Sequence, residues 1–405
     1  MLIDSFGRSI DYIRVSVTKN CNFRCLYCMP DTPDEIKENL IPLNQMLEFL
    51  KIAMDLGVRK VRLTGGEPLL RGDLSEFVRG IYSYKNDVEV ALTTNGFLLK
   101  KYAKELKNAG LKRINVSLDS LQSHKISTIS KKNDALDSIL EGIFLAKNVG
   151  LGVKINMVPL KNINENEIID LLEFANKNGF LIRYIEYMDN TFAKSGIVGL
   201  RSEEILKIID KKYRYKMLQK EHFGPAKLYE IEGLSGESKA LDSINSLDSA
   251  ESKNLDSVIL RDSADLKNSA ESWDSVDSKN LDSASLIESN YSLDSAESGD
   301  FKNLDSTDST TNPSKFKTTK KPVFGIIAPH NDEFCLSCNR IRLSAEGIIF
   351  PCLYFEDAVD ASVAIRSGDK IAMKEALLKS ICNKPEKNKW GENERSNRAF
   401  YHTGG

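Results

Sequence analysis

An α/β fold organised on a parallel sheet is the architecture this 405-residue chain predicts. Short β-rich runs alternate with amphipathic helical stripes along residues 11–212, the pattern of repeated βα units. The residues able to do chemistry gather just after the strands, where parallel-sheet proteins place their sites.

Residues 11–18 alternate with period two and read as a strand that delivers a cysteine loop. Met46, Leu47, Leu50, Ala53 and Met54 form one stripe of a helix over 44–56, stopped by Gly57. Strands follow at 58–64, 88–94, 112–118, 153–159 and 181–188. Helices are expected at 75–85, 98–109 (before Gly110), 134–149 (capped by Asp134, closed by Gly150), 165–178 (before Gly179) and 203–212. Six such units make either an open doubly wound sheet or a curved partial barrel.

From about Leu234 to about Thr319 the composition changes. Leu-Asp-Ser recurs from Leu241, Leu247, Leu255, Leu281 and Leu304, with few aromatics and no cysteine. So polar a segment cannot bury enough apolar area to offset its ordering entropy, and it reads as a disordered insertion rather than an irregular solenoid. The organisation expected is therefore 1–233, the insertion 234–319, and a C-terminal region 320–405 ending in two glycines that could thread a narrow site.

A hydrophobic content of 41% supports a large core, and a formal charge of −2 gives no global attraction to nucleic acid or anionic membrane. Because the insertion is acidic, the remainder must be net basic, which suits an anionic small molecule. The N-terminus lacks a basic segment followed by an apolar core, and no apolar run reaches spanning length, so a cytoplasmic protein is expected.

Six of the seven cysteines form two triplets, Cys21, Cys25 and Cys28, then Cys335, Cys338 and Cys352. In a large chain without a secretion signal such clusters read as metal ligands. A closed zinc site wants four ligands, and none of the four histidines lies near the first triplet in sequence; His330 or Cys382 could complete the second. A cubane iron-sulfur cluster held by three thiolates instead leaves one iron open. Cys382 reads otherwise as a small apolar residue on a helix. Arg340 and Arg342, beside the second triplet, suit charge compensation or phosphate binding.

The C-x3-C-x2-C spacing from Cys21 to Cys28 resembles that of the radical S-adenosylmethionine enzymes. Gly65-Gly-Glu-Pro68, Thr93-Thr-Asn-Gly96, residues 114–119, 153–156 and 182–186, Cys338-Asn-Arg-Ile-Arg342 and the terminal Gly-Gly together resemble the GTP 3′,8-cyclase family, also called molybdenum cofactor biosynthesis protein A. The resemblance spans about 1–233 and 320–405; the insertion departs from it.

That resemblance implies a partial (βα)6 TIM-like barrel with a C-terminal extension holding a second iron-sulfur site. It implies two 4Fe-4S clusters, one on Cys21, Cys25 and Cys28 and one on Cys335, Cys338 and Cys352, with S-adenosyl-L-methionine as cofactor. Tyr27, Gly66, Ser117 and Met188 would contact S-adenosylmethionine. Arg14, Arg62, Thr93, Lys154, Arg183, Arg340 and Arg342 would contact GTP, and Arg340, Arg342, Gly404 and Gly405 would be catalytic. The reaction implied takes hydrogen from ribose C3′ of GTP and joins that carbon to guanine C8. A one-electron donor protein and a downstream cyclic pyranopterin monophosphate synthase are the partners implied, with a homodimer compatible and the oligomeric state open. Inward cations on several strands also admit a structural reading, as ion pairs with Glu67, Asp119 or Glu186. A radical peptide maturase and a two-zinc binding module are the rival functions.

Overall fold

The computed structural model describes residues 1–29, 39–218, 224–235, 321–392, 394–397 and 399–403. The insertion expected at 234–319 therefore lies, apart from its first two residues, outside the described residues, as do Gly404 and Gly405.

Strands β1 (Tyr12–Ser16), β2 (Lys60–Thr64), β3 (Glu89–Thr94), β4 (Arg113–Ser117), β5 (Gly152–Met157) and β6 (Leu181–Ile185) pair in sequence order, all parallel. Helices α1 (Leu43–Asp55), α2 (Leu74–Tyr84), α3 (Leu99–Asn108), α4 (Ser123–Ser130), α5 (Leu136–Asn148), α6 (Ile168–Lys177) and α7 (Ser202–Asp210) follow the successive strands. This is the α/β partial barrel expected. Gly110 shows why a glycine closes α3: its φ is +105°, and a Cβ there would lie 2.5 Å from the Tyr82 ring. Asp134 does not cap α5 as expected; it takes a left-handed φ of 52° and the helix opens after Ala135. Helix α4, rich in Ser and Thr, was not foreseen.

Among the described residues the sheet has twelve strands, with further strands on both of its edges. Strand β7 (Tyr213–Met217), β8 (Lys227–Leu234) and β9 (Val323–Ile327) add beyond β6, with β9 parallel to it. Helix α8 (Glu333–Leu336) leads to β10 (Arg340–Leu343), which runs parallel to β1, and β11 (Ile348–Phe350) and β12 (Val359–Asp360) complete that edge. Helices α9 (Ser362–Ser367), α10 (Lys370–Cys382) and the terminal α11 (Phe400–Thr403) follow. Cys382 is the last residue of α10 and is exposed rather than packed on an apolar face.

Period two divides the sheet into two faces. Ile13, Val15, Val61, Leu63, Val90, Leu92, Ile114, Val116, Ile155, Ile182, Ile341 and Leu343 join one buried core with the helices. Each such side chain contributes roughly 1.5–3 kcal/mol on burial. Their alternates, Arg14, Arg62, Thr93, Asn115, Lys154, Arg183, Arg340 and Arg342, occupy the opposite face. Among the described residues no helix is long and apolar enough to cross a membrane.

Candidate functional site

The loop after β1 and the turn after β2 are built against each other. Gly66 N–H donates to Thr18 O at 2.8 Å and Glu67 N–H to Asn20 O at 2.8 Å. A Cβ on Gly66 would lie 2.2 Å from Asn20 O and 2.5 Å from Lys19 O, so only glycine permits the approach. Buried Glu67 ties this turn to the one after β3: its oxygens accept from Thr94 Oγ1 at 2.7 Å, Asn95 N at 2.8 Å and Leu69 N at 3.0 Å. Asn95 in turn donates to Asn22 Oδ1 at 2.8 Å and approaches Cys21 Sγ at 3.8 Å.

Cys21, Cys25 and Cys28 line one open cavity, together with Tyr27, Gly66, Ser117, Met188 and Thr93. All four residues expected to contact S-adenosylmethionine thus share the cavity with the first triplet. Tyr27 Oη donates to Asp119 Oδ2 at 2.7 Å, while Asp119 Oδ1 accepts from Val158 N at 2.9 Å. Burial, only partly offset by these bonds, raises the Asp119 carboxyl to about 6. Burial likewise raises the Cys21 thiol to about 11 and Cys28 to about 12, and burial, with Cys28, Asp119 and Cys21 beside it, raises Cys25 well above its ordinary value.

The second triplet hangs from the other end of the same strand pair. Arg340, two residues after Cys338, is paired with Tyr12, the first residue of β1, whereas Cys21 follows the last residue of β1. A five-residue strand covers about 13 Å between its first and last Cα. Cys335 is buried and feels both Cys338 and Cys352 electrostatically. Burial would raise the Cys338 thiol, but Arg340 and Lys384 outweigh it and bring it down to about 6. Aromatic packing reaches across: Cys28, Met188 and Cys352 all pack against the cluster of Leu353, Tyr354, Trp390 and Phe400, and Phe400 lines the cavity.

Between the triplets lies the cationic face. Arg62, Arg183, Arg340 and Arg342 are buried. Burial, with repulsion from other cations, draws Arg62 to about 10 and Arg183 to about 9, so both stay charged at neutral pH. Lys154 is drawn down to about 7 by burial and then by Arg113 and Arg183. The ion pairs considered from sequence are not formed with the acids named. Glu67 and Asp119 are engaged as described, and Glu186 binds Ser202 N at 2.6 Å and His330 Nδ1 at 2.7 Å. Arg183 instead donates to Asn156 and Asn115 Oδ1 at 2.6–3.0 Å. Of the expected GTP contacts, Thr93 alone lines the large cavity; the cations lie beyond it on the sheet. Arg62 Nε is buried without a hydrogen-bond partner among the described residues. A face of largely buried cations with an unsatisfied donor at Arg62 fits a polyanion.

Free thiols at both triplets fit iron-sulfur clusters by donor type. Among the described residues no three His, Cys, Asp or Glu side chains stand close enough to share one metal ion, and His330, a candidate fourth zinc ligand, is engaged by Glu186. Sequence reasoning missed Asn95, Lys384, Asn388 and Phe400. Asn95 was within reach, since it stands in the Thr93–Gly96 turn already singled out; the other three sit in stretches without periodicity or a motif.

A partial barrel whose first strand feeds three thiols into one shared cavity defines a radical S-adenosylmethionine protein. Residues 15–175 match the Radical SAM superfamily, and residues 273–390 match Molybdenum Cofactor Synthesis C. The chain is 44% identical over 409 residues to a GTP 3′,8-cyclase of Helicobacter pylori (strain HPAG1) and 42% identical over 409 residues to one of Campylobacter jejuni (strain RM1221). It is 41% identical over 411 residues to one of Aliarcobacter butzleri (strain RM4018), and each alignment covers 100% of both chains. The chain belongs to the GTP 3′,8-cyclase family.

Proposed function

We propose that this protein cyclises GTP to (8S)-3′,8-cyclo-7,8-dihydroguanosine 5′-triphosphate, the first step of molybdopterin cofactor biosynthesis. The observation that carries the reading is the cationic face of β1, β2, β5, β6 and β10, buried at Arg62, Arg183, Arg340 and Arg342 and set between two thiol triplets. Cys21, Cys25 and Cys28 would hold a 4Fe-4S cluster that with S-adenosylmethionine would supply one-electron, hydrogen-abstracting chemistry, and Cys335, Cys338 and Cys352 would hold a second cluster beside the guanine.

The chain's own residues do the rest. Tyr27, Gly66, Ser117 and Met188 surround S-adenosylmethionine, with Tyr27 held by Asp119. Arg14, Arg62, Lys154 and Arg183, with Arg340 and Arg342, hold the triphosphate and leave the ribose facing the first triplet. Thr93, at the boundary between cavity and cationic face, contacts the nucleotide. Phe23, Tyr27 and Phe400 line the cavity and exclude water from the reacting carbon. Arg340, Arg342 and the Gly404-Gly405 tail complete the catalytic group.

The same reading places the protein in the cytoplasm, with a one-electron donor protein and a cyclic pyranopterin monophosphate synthase downstream, and allows a homodimer. The test is anaerobic incubation of the iron-loaded protein with GTP, S-adenosylmethionine and a reductant. Mass spectrometry should find the cyclised nucleotide with 5′-deoxyadenosine. S-adenosylmethionine cleavage without any GTP-derived product would overturn the substrate assignment.

A further inference from the structure

The segment after α10 turns two buried side chains toward the second triplet. Lys384 is 3% exposed, and its Nζ donates to Arg340 O and Pro351 O, both at 2.8 Å. These carbonyls belong to the chain just after Cys338 and just before Cys352, so one ammonium bridges the segments carrying two of the thiols. Among the described residues no carboxylate lies within ion-pair distance of it. A buried, uncompensated ammonium is costly and calls for a negative neighbour.

Asn388 addresses the third thiol. Its Nδ2 donates to Cys335 Sγ at 3.1 Å and to Pro329 O at 3.0 Å, while its Oδ1 accepts from Trp390 N at 2.9 Å. The bond from Trp390 fixes which end of the amide is the donor, so the N–H···S contact is not open to an amide flip.

We propose that Lys384 and Asn388 set the electron affinity of the second cluster, raising its potential by placing a cation and an N–H donor against its thiolates. This rests on the reading that Cys335, Cys338 and Cys352 hold a 4Fe-4S cluster. Adding an electron makes the cluster and its thiolates more negative. A fixed ammonium in a water-poor site and a hydrogen bond to sulfur both favour that state. Both are positioning residues, since neither belongs to the substrate or cofactor contacts above.

The test is an anaerobic redox titration of the full chain followed by electron paramagnetic resonance, with iron analysis alongside. Lys384→Met and Asn388→Leu should each lower the potential of the second cluster and leave the first unmoved. Lys384→Arg should restore it, and Asn388→Asp should lower it beyond Asn388→Leu. Unmoved potentials with full iron content would overturn the inference. So would loss of the second cluster's iron in both Lys384→Met and Asn388→Leu, which would reduce the two residues to pins for the fold. A wild-type protein that loads a single cluster would instead remove the ligand reading on which the inference stands.

Discussion

Arg342 Nη1 donates a 3.0 Å hydrogen bond to the carbonyl of Thr403. Both residues are buried, and Thr403 immediately precedes Gly404. The terminal helix α11 therefore ends against a cation of β10, with Phe400 at the cavity. Deleting Gly404 and Gly405 is expected to abolish cyclisation and leave the iron content intact, measured by product chromatography and iron analysis. Undiminished turnover would remove the tail from the mechanism.

Arg62 stands near Arg14 and Arg113, with its Nε lacking a partner among the described residues. Replacing such a group with an apolar one of similar length relieves desolvation and repulsion. Arg62→Met should stabilise the substrate-free protein by about 1–3 kcal/mol in denaturant melts while weakening GTP about tenfold or more by calorimetry. Loss of stability in this variant would mean that Arg62 is a structural pillar.

Lys154 gives a pH signature. In the folded chain it releases its proton near 7, against an ordinary 10.5. Between those values the unfolded chain binds more protons, so the contribution of Lys154 to stability climbs as pH rises from about 7 and is complete above the unfolded value. Lys154→Met should flatten that climb in thermal melts. GTP favours the charged ammonium, so affinity should fall as pH rises through 7, and more in the wild type than in the variant. Parallel pH profiles would exclude Lys154 from the anion site.

Gly66 tests the architecture of the first triplet. A methyl at 2.2 Å from Asn20 O must push the cysteine loop away from β2. Gly66→Ala is expected to cost about 3 kcal/mol or more and to reduce iron bound by the first triplet, with the second triplet's iron retained. Iron content equal to the wild type's, at unchanged melting temperature, would contradict the tight turn.

The Leu-Asp-Ser-rich segment is proposed to be dispensable. Strand β8 ends at Leu234, and Ser235 Oγ donates to Asp210 O, so the cut belongs between Ser235 and Lys321 rather than one residue earlier. Excision with a short linker should leave iron content and cyclisation unchanged. Because the Molybdenum Cofactor Synthesis C match begins at residue 273, a failure to load the second cluster would assign this stretch to that region instead.

The first six strands were legible because alternation such as Ile13-Arg14-Val15 separates a core face from a site face within a few residues. The glycines that end α1, α3, α5 and α6 carried equally local information. Helix α4 escaped because Ser and Thr compete for backbone hydrogen bonds and blur its stripe. Strands β9 and β10 contain ordinary strand sequences, Val323-Phe-Gly-Ile-Ile327 and Arg340-Ile-Arg-Leu343, yet their partners lie far back in the chain. Lys384 and Asn388 were invisible for the same reason. Their meaning comes from Arg340, Pro351 and Cys335, which only the folded chain brings to them.

The pairing of β1 with β10 also has a timetable. Asn339 Nδ2 bonds Asp11 Oδ1 across 328 positions, and Arg8 holds the carbonyls of Cys335, Pro385 and Glu386. At ordinary synthesis rates those partners emerge roughly 15–75 s after the first strand. During that interval Cys21, Cys25 and Cys28 are already outside the ribosome, without the aromatic wall of Tyr354, Trp390 and Phe400. A chain halted before residue 340 therefore presents the three cysteines beside a sheet that still lacks β10 on its β1 edge.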